Sequence, residues 1–132
     1  MKNSALLLVA IVGFLGMSFT IQETIWLDEN LNTTTQSQAK YYKLGKKLEG
    51  NVAIFYKNRT VYRKLFYNKG KLNGKFSEYY KTGELREVGK YKNGLREGNW
   101  KEYYKSGKIK KRGKYSRGVK VGIWKIFYKN VY

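Results

Sequence analysis

The sequence predicts an all-β protein, an antiparallel meander of tandem β-hairpins preceded by a signal peptide and a small cap. Two residue types recur at a fixed interval of 24 residues, at Gly50, Gly74, Gly98, Gly122, Tyr56, Tyr80, Tyr104 and Tyr128. Four copies in one phase without a gap indicate a repeat architecture, in which each repeat is one supersecondary unit. Alternating side chains and regularly placed glycines then identify that unit as a hairpin.

The first strand of each unit is predicted from alternation. In the third unit, Trp100, Glu102 and Tyr104 point one way, and Lys101 and Tyr103 point the other way. A period of two is the periodicity of a β-strand. Across the units we expect two aromatic rows that hold the hairpins together, formed by Phe76, Trp100 and Trp124 and by Tyr80, Tyr104 and Tyr128.

Glycines predict the turns and one close approach. Ser106-Gly107 ends the first strand of the third unit, because glycine supplies the positive φ of a tight hairpin. The second strand, residues 109–115, contains Gly113. Since a glycine inside a strand leaves room for a neighbour, we expect a Trp or Tyr ring of the adjacent strand to lie over it.

The repeat domain is predicted to span residues 43–132, with units that start near residues 43, 67, 91 and 115. The first unit departs from the pattern, because Val52 stands in the Trp position and Arg59 in the position of the hairpin glycine. Residues 21–42 are expected to form either a cap anchored by Trp26 or a tethering linker, with a short helix over residues 32–39.

Residues 1–20 are typical of a secretory signal peptide. Lys2 gives the start a positive charge, and residues 5–17 are apolar throughout. An apolar run of this length is short for a membrane span, which needs about 20 residues. The alternative is an uncleaved N-terminal anchor. Either interpretation predicts an exported protein that is periplasmic, envelope-associated or secreted.

The composition excludes several kinds of site. The sequence has no Cys and no His, so it lacks disulfides, thiolate nucleophiles, Cys/His zinc sites and imidazole bases. Glu78 and Glu102 share one repeat position, but cross-strand pairing with lysines explains them better than a catalytic carboxylate pair does. We therefore expect no enzyme, no metal site and no cofactor.

The charge is large and unevenly distributed. The formal net charge is +19, and 27 of the 28 basic residues lie from Lys40 onward with six of the nine acids. Such a field favours anionic partners. The best local candidate for a basic contact is the segment formed by Lys108, Lys110, Lys111, Arg112 and Lys114. The alternative is that these side chains are strand-edge lysines that prevent pairing with other chains.

The motif Gly-x-Trp-x-x-Tyr-Tyr-x-x-Gly-x-Ile, preceded by Tyr-x-x-Gly-x-x-x-Gly, resembles the MORN-repeat variant of bacterial proteins, including the YwqK-type antitoxin family. The third unit carries it on Gly98, Trp100, Tyr103, Tyr104, Gly107 and Ile109. The resemblance covers roughly residues 42–132 and implies a β-hairpin array that serves as a binding scaffold. Some members neutralise a partner toxin by direct contact, and the family motif contains no catalytic residue.

Two functions are therefore expected. The first is an exported scaffold, antitoxin-like or immunity-like, that binds a protein partner such as a toxin. The second is an envelope-associated electrostatic binder of anionic lipid or cell-wall polymer. A nucleic-acid partner is disfavoured, because the aromatic residues recur on the grid that builds the sheet and the predicted signal peptide directs the chain out of the cytoplasm.

Overall fold

A computed structural model describes residues 20–129 of the protein. The predicted signal peptide, the question of its cleavage and the last three residues of the repeat domain lie outside the described residues. Within residues 20–129 there is no helix long and apolar enough to span a membrane.

The described chain forms one antiparallel sheet of ten strands and no helix, which confirms the predicted fold class. The strands are β1 (Thr24–Leu27), β2 (Tyr41–Leu44), β3 (Gly50–Tyr56), β4 (Val61–Asn68), β5 (Lys71–Leu72), β6 (Gly74–Tyr79), β7 (Leu85–Lys92), β8 (Leu95–Tyr103), β9 (Ile109–Ser116) and β10 (Val119–Ile126). Their order in the sheet is β1-β2-β3-β4-β6-β7-β8-β9-β10, and the short β5 pairs with β4. Consecutive hairpins therefore lie side by side, as expected for a meander.

The turns follow the glycine positions. Gly83 and Gly107 have φ of 105° and 85° in the hairpin turns of their units. In the first unit Arg59 itself adopts a φ of 73°, and its N–H donates to the carbonyl of Tyr56 at 2.9 Å. The first hairpin therefore closes without the glycine. Asn58 supports this turn, because its Oδ1 accepts bonds from the backbone and side chain of Thr60.

Trp100 and Trp124 each lie over a glycine of the preceding strand. Gly98 has a φ of 71°, and the register between β7 and β8 shifts between the pairs Lys90–Glu97 and Val88–Lys101. This bulge brings the indole of Trp100 across Gly89, where a Cβ would collide with the ring. Trp124 lies over Gly113 in the same way, which confirms the close approach predicted from the sequence.

The core lies on one face of the sheet, called here the core face. Its buried members include Leu27, Ile54, Leu65, Phe76 and Trp100. Tyrosines of β7 and β9 flank the tryptophans, and their rings meet edge-to-face with centroids 5.0–5.8 Å apart. Edge-to-face contacts add to the burial of such rings, so the aromatic row stabilises a sheet that has no second layer in the described residues.

The repeated tyrosine links one unit to the next. The hydroxyls of Tyr56, Tyr80 and Tyr104 donate to backbone carbonyls 23 residues further along the chain, at 2.7–2.8 Å. Their acceptors are the carbonyls of Tyr79, Tyr103 and Phe127. These bonds satisfy a polar atom beside the core and fix the stacking of successive hairpins.

The short helix expected over residues 32–39 does not form, and this prediction was wrong. Residues 28–40 instead make turns that fold back along β1. Asp28 accepts bonds from the N–H groups of Asn30 and Asn32, and Thr33 forms a bridge with Leu27. The carboxylate of Asp28 therefore satisfies turn amides that a helix would have needed elsewhere.

Candidate binding face of the sheet

The face opposite the core is strongly basic in the second half of the sheet. Residues directly opposite one another in neighbouring strands point to the same face, so the register assigns every side chain. Lys71 and Lys92 share this face at the ends of their strands. The exposed cations in its central rows are Lys64, Lys75, Lys90, Lys101, Arg112, Lys114 and Lys125. We call these seven residues the basic face.

Several of these cations are direct neighbours. Lys75 is opposite Lys90 across β6 and β7, and Arg112 lies between Lys101 and Lys125 on the strands at either side. Side chains at such positions have their Cβ atoms about 5 Å apart, and like charges there are destabilising. The arrangement therefore concentrates positive charge at a cost to the stability of the free protein.

No acidic side chain forms an ion pair with the basic face within residues 20–129. The nearest candidate, Glu97, lies opposite Lys90, but its carboxylate accepts the backbone N–H of Arg117 at 2.8 Å. The face also has two open hollows where glycines leave space. One of about 460 Å³ includes Gly113 and Gly122, and one of about 470 Å³ includes Gly89 and Gly98. An anionic group placed in either hollow would lie beside exposed cations and accessible backbone groups.

Three other acids of the repeat region lie on the core face. Glu78, Glu87 and Glu102 are successive neighbours across β6, β7 and β8. Each is neutralised by its own cations: Arg63 and Arg86 at Glu78, Arg96 at Glu87 and Lys110 at Glu102, with N–O distances of 2.6–3.3 Å. Only Glu78 is fully buried, and it has two arginine partners.

The expectation that Glu78 and Glu102 pair with lysines was only half right. Glu78 lies opposite Arg63 and Glu87, and its partners are arginines. Glu102 lies opposite Glu87 and Lys111 but is bonded to Lys110. Among the described residues no group of three or more acids is arranged to hold a metal ion.

The five residues predicted as one basic contact do not form one patch. Arg112 and Lys114 belong to the basic face, whereas the ammonium group of Lys111 lies 5.3 Å from the centre of the Trp124 ring on the core face. A bulge puts Lys110 beside Glu102, whose hydrogen bond raises the pKa of Lys110. Lys108 lies in the turn before β9.

The alternative that these lysines protect a sheet edge was also wrong. β9 pairs with β8 on one side and with β10 on the other, so it is an interior strand. Five members of the basic face were not predicted from the sequence: Lys64, Lys75, Lys90, Lys101 and Lys125. Period-two alternation combined with hairpin register would have placed them beside Arg112, although they are far apart in sequence.

The predicted structural residues lie in the sheet as follows. Phe76, Trp100 and Trp124 occupy one row of the core face, and Tyr80 and Tyr104 form the interstrand bonds described above. Gly74, Gly98 and Gly122 all have positive φ at the bulges. Tyr128 follows β10 and is 81% exposed.

Comparison with known proteins identifies no family for the chain. No protein-family model matches it, and no curated protein matches it. The antiparallel sheet of hairpins is therefore shown by the structure itself.

Proposed function

We propose that the protein is a non-enzymatic, exported scaffold that binds a protein partner with an acidic surface through the basic face. One observation carries this proposal. Seven exposed cations share one face without an ion-pair partner in the described chain, while Glu78, Glu87 and Glu102 are paired with cations on the other face.

The two faces of the sheet differ in how their charges are neutralised. The core face neutralises its charges internally, so the protein is able to place acids beside cations where stability requires it. The basic face instead keeps like charges opposite one another, which costs stability in the free protein. A sequence that breaks a local rule without compensation does so most often at a functional site, and complementary charge would remove the cost on binding.

Two sequence features support the remaining parts of the proposal. The resemblance to MORN-repeat variant proteins favours an antitoxin-like or immunity-like scaffold, for which a toxin is one suitable partner. The predicted signal peptide favours export. The non-enzymatic part of the proposal is supported by the core-face glutamates Glu78, Glu87 and Glu102, each of which forms an ion pair within residues 20–129.

The test is capture of a partner from an envelope fraction with the purified chain. A variant carrying Lys101→Glu and Lys114→Glu reverses two charges of the basic face. A control carrying Lys40→Glu and Lys47→Glu changes the net charge equally at exposed positions outside it. We expect the wild type and the control to recover one stoichiometric protein and the basic-face variant to lose it. Equal recovery by all three chains would refute the assignment of the face.

The second candidate function is binding of anionic lipid or cell-wall polymer. The specific observation in its favour is that the cations extend over six neighbouring strands, from Lys64 on β4 to Lys125 on β10, and so match an extended polyanion. Each basic residue near such a surface contributes about 1 kcal/mol. Vesicles with anionic headgroups should then retain the chain at low salt and release it at high salt, whereas a specific protein contact should persist.

A further inference from the structure

The two edges of the sheet are treated differently. At the first edge, the N–H of Thr34 donates to the carbonyl of Trp26 at 2.9 Å, and Thr33 bridges to Leu27, so residues 28–34 cover part of β1. At the opposite edge, β10 pairs only with β9 within the described residues. Its outer backbone groups therefore form a row of the kind that pairs readily with another strand.

β10 is also more apolar than the strand at the same repeat position. Three polar residues of β8 are replaced by aliphatic residues in β10, as the pairs Glu97 and Val121, Asn99 and Ile123, and Glu102 and Ile126. The aliphatic side chains of Val121, Ile123 and Ile126 are 40%, 84% and 56% exposed. The unit that caps a repeat array normally has a polar outer face. β10 lacks such a face, and its composition is that of a strand covered by a neighbour.

Two aromatic residues lack the neighbour that their counterparts have. Gly113 of β9 lies opposite Trp100, which is 1% exposed, but within the described residues nothing lies opposite Trp124 on its outer side. The hydroxyls of Tyr80 and Tyr104 donate to carbonyls of the following unit, whereas Tyr128 has no such acceptor among residues 20–129. Both positions would be completed by one more strand.

We propose that β10 receives an extended segment of an acidic protein partner as an additional antiparallel strand. This inference rests on the proposed function, because it assumes that the partner is an acidic protein. Continuation of the array places a glycine opposite Trp124, as Gly113 lies opposite Trp100. Complementarity to β10 places an acidic residue opposite Lys125 and apolar residues opposite Ile126 and Ile123. Its backbone hydrogen bonds supply affinity, and these side chains supply specificity.

Charge selects an acidic segment over a second copy of the chain. After Glu102 the sequence has no Asp or Glu but ten Lys and Arg residues. Two copies paired through β10 would bring together two regions that each carry these ten cations and no acid, and like charges disfavour that association. An acidic strand instead meets Lys125 and the neighbouring cations of the basic face.

The experiment measures binding of a fluorescent peptide that contains isoleucine, glutamate, glycine and valine in that order, flanked by polar residues. Ile123 is almost fully exposed, so Ile123→Lys should leave the fold intact and lower peptide affinity. Lys125→Glu should weaken binding by about tenfold or more and make the chain prefer a peptide with lysine in place of glutamate. Lys47→Glu, a charge reversal at an exposed position outside the basic face, is the matched control and should bind as the wild type does.

Each outcome has a distinct meaning. Two results together support the added strand. The edge variants lose peptide binding, and the peptide slows hydrogen exchange of the β10 amides in the wild type. Unchanged peptide binding in Ile123→Lys and Lys125→Glu overturns it, and so does a dimer of the free chain that Ile123→Lys dissociates. If the envelope partner is captured by the edge variants but not by the Lys101→Glu and Lys114→Glu variant, the added strand is wrong and the proposed function remains.

Discussion

At the scale of single residues, the sheet depends on pairs of one large ring and one absent side chain. The positive φ of Gly98 turns the backbone so that the indole of Trp100 covers Gly89 and is 1% exposed. The guanidinium carbon of Arg96 lies 4.0 Å from the centre of that ring. Each Trp–Gly pair is therefore a packing contact that holds two neighbouring hairpins together. We expect substitution of either member to destabilise the protein.

Trp100→Ala should lower the free energy of unfolding by about 3–5 kcal/mol, because it removes a large buried ring and leaves a cavity. This is a large part of the roughly 5–15 kcal/mol that stabilises a typical domain. Lys101→Ala, on the exposed face, is the neighbouring control and should leave the melting temperature unchanged or slightly higher. Thermal unfolding followed by circular dichroism distinguishes them. Equal melting temperatures for both variants would contradict the role of the ring.

Gly89→Ala should destabilise the protein by about 3 kcal/mol, since the new methyl group would overlap the indole of Trp100 and displace it. Lys90→Ala changes the next residue of the same strand, which points to the basic face, and should have little effect. Denaturant unfolding monitored by tryptophan fluorescence reports both stability and the environment of the ring. A Gly89→Ala protein as stable as the wild type would show that the ring is not held there.

At the scale of elements, neighbouring strands attract each other through side-chain bonds on the core face and repel each other through like charges on the basic face. The hydroxyl of Tyr80 donates a hydrogen bond to the carbonyl of Tyr103 at 2.7 Å, and Glu78 forms ion pairs with two arginines. On the basic face, Lys101 is opposite Arg112, and no acid separates them. Side-chain interactions on the core face therefore stabilise the sheet, and repulsion between like charges on the basic face destabilises it.

Tyr80→Phe should cost about 1 kcal/mol, the net contribution of one hydrogen bond between a hydroxyl and a carbonyl. Tyr103→Phe removes a hydroxyl that makes no hydrogen bond within residues 20–129 and is the matched control. The difference in the denaturation midpoints of the two variants measures the bond. Equal midpoints would show that the repeated tyrosine hydroxyl does not connect the units.

Lys101→Glu should stabilise the free protein by about 0.5–1 kcal/mol, because it converts a like-charge pair with Arg112 into an opposite-charge pair. The gain should shrink as salt is added. Thermal scans at low and high ionic strength provide the measurement. A lower melting temperature at low salt would indicate that Arg112 and Lys101 do not face each other.

At the scale of the whole molecule, the side chains that stabilise the sheet and those proposed to bind a partner lie on different faces. The rings of Phe76, Trp100 and Trp124 and the paired charges occupy the core face, and the basic face is opposite them. The apolar β10 lies at the outer edge of the described sheet. A partner that met both the basic face and the β10 edge would contact a continuous surface, since Lys125 belongs to both.

The sequence predicted the features that depend on local pattern. The 24-residue interval, the alternation and the turn glycines were sufficient for the strands and for the ring over Gly113. Features that depend on register were missed. Lys75 and Arg112 belong to one face only because the two strands between them, β7 and β8, pair in a fixed register. A bulge places Lys110 beside Glu102. Arg59 shows that a turn can form without its expected glycine.

The most direct test of the central claim uses polyglutamate as a defined acidic probe and thermal unfolding as the readout. A ligand that binds the native state raises the melting temperature. We predict that polyglutamate at low salt raises it for the wild type and for the Lys40→Glu, Lys47→Glu control, and much less for the Lys101→Glu, Lys114→Glu variant. If both double variants lose the same part of the shift, net charge alone accounts for binding, and the claim for a basic recognition face is contradicted.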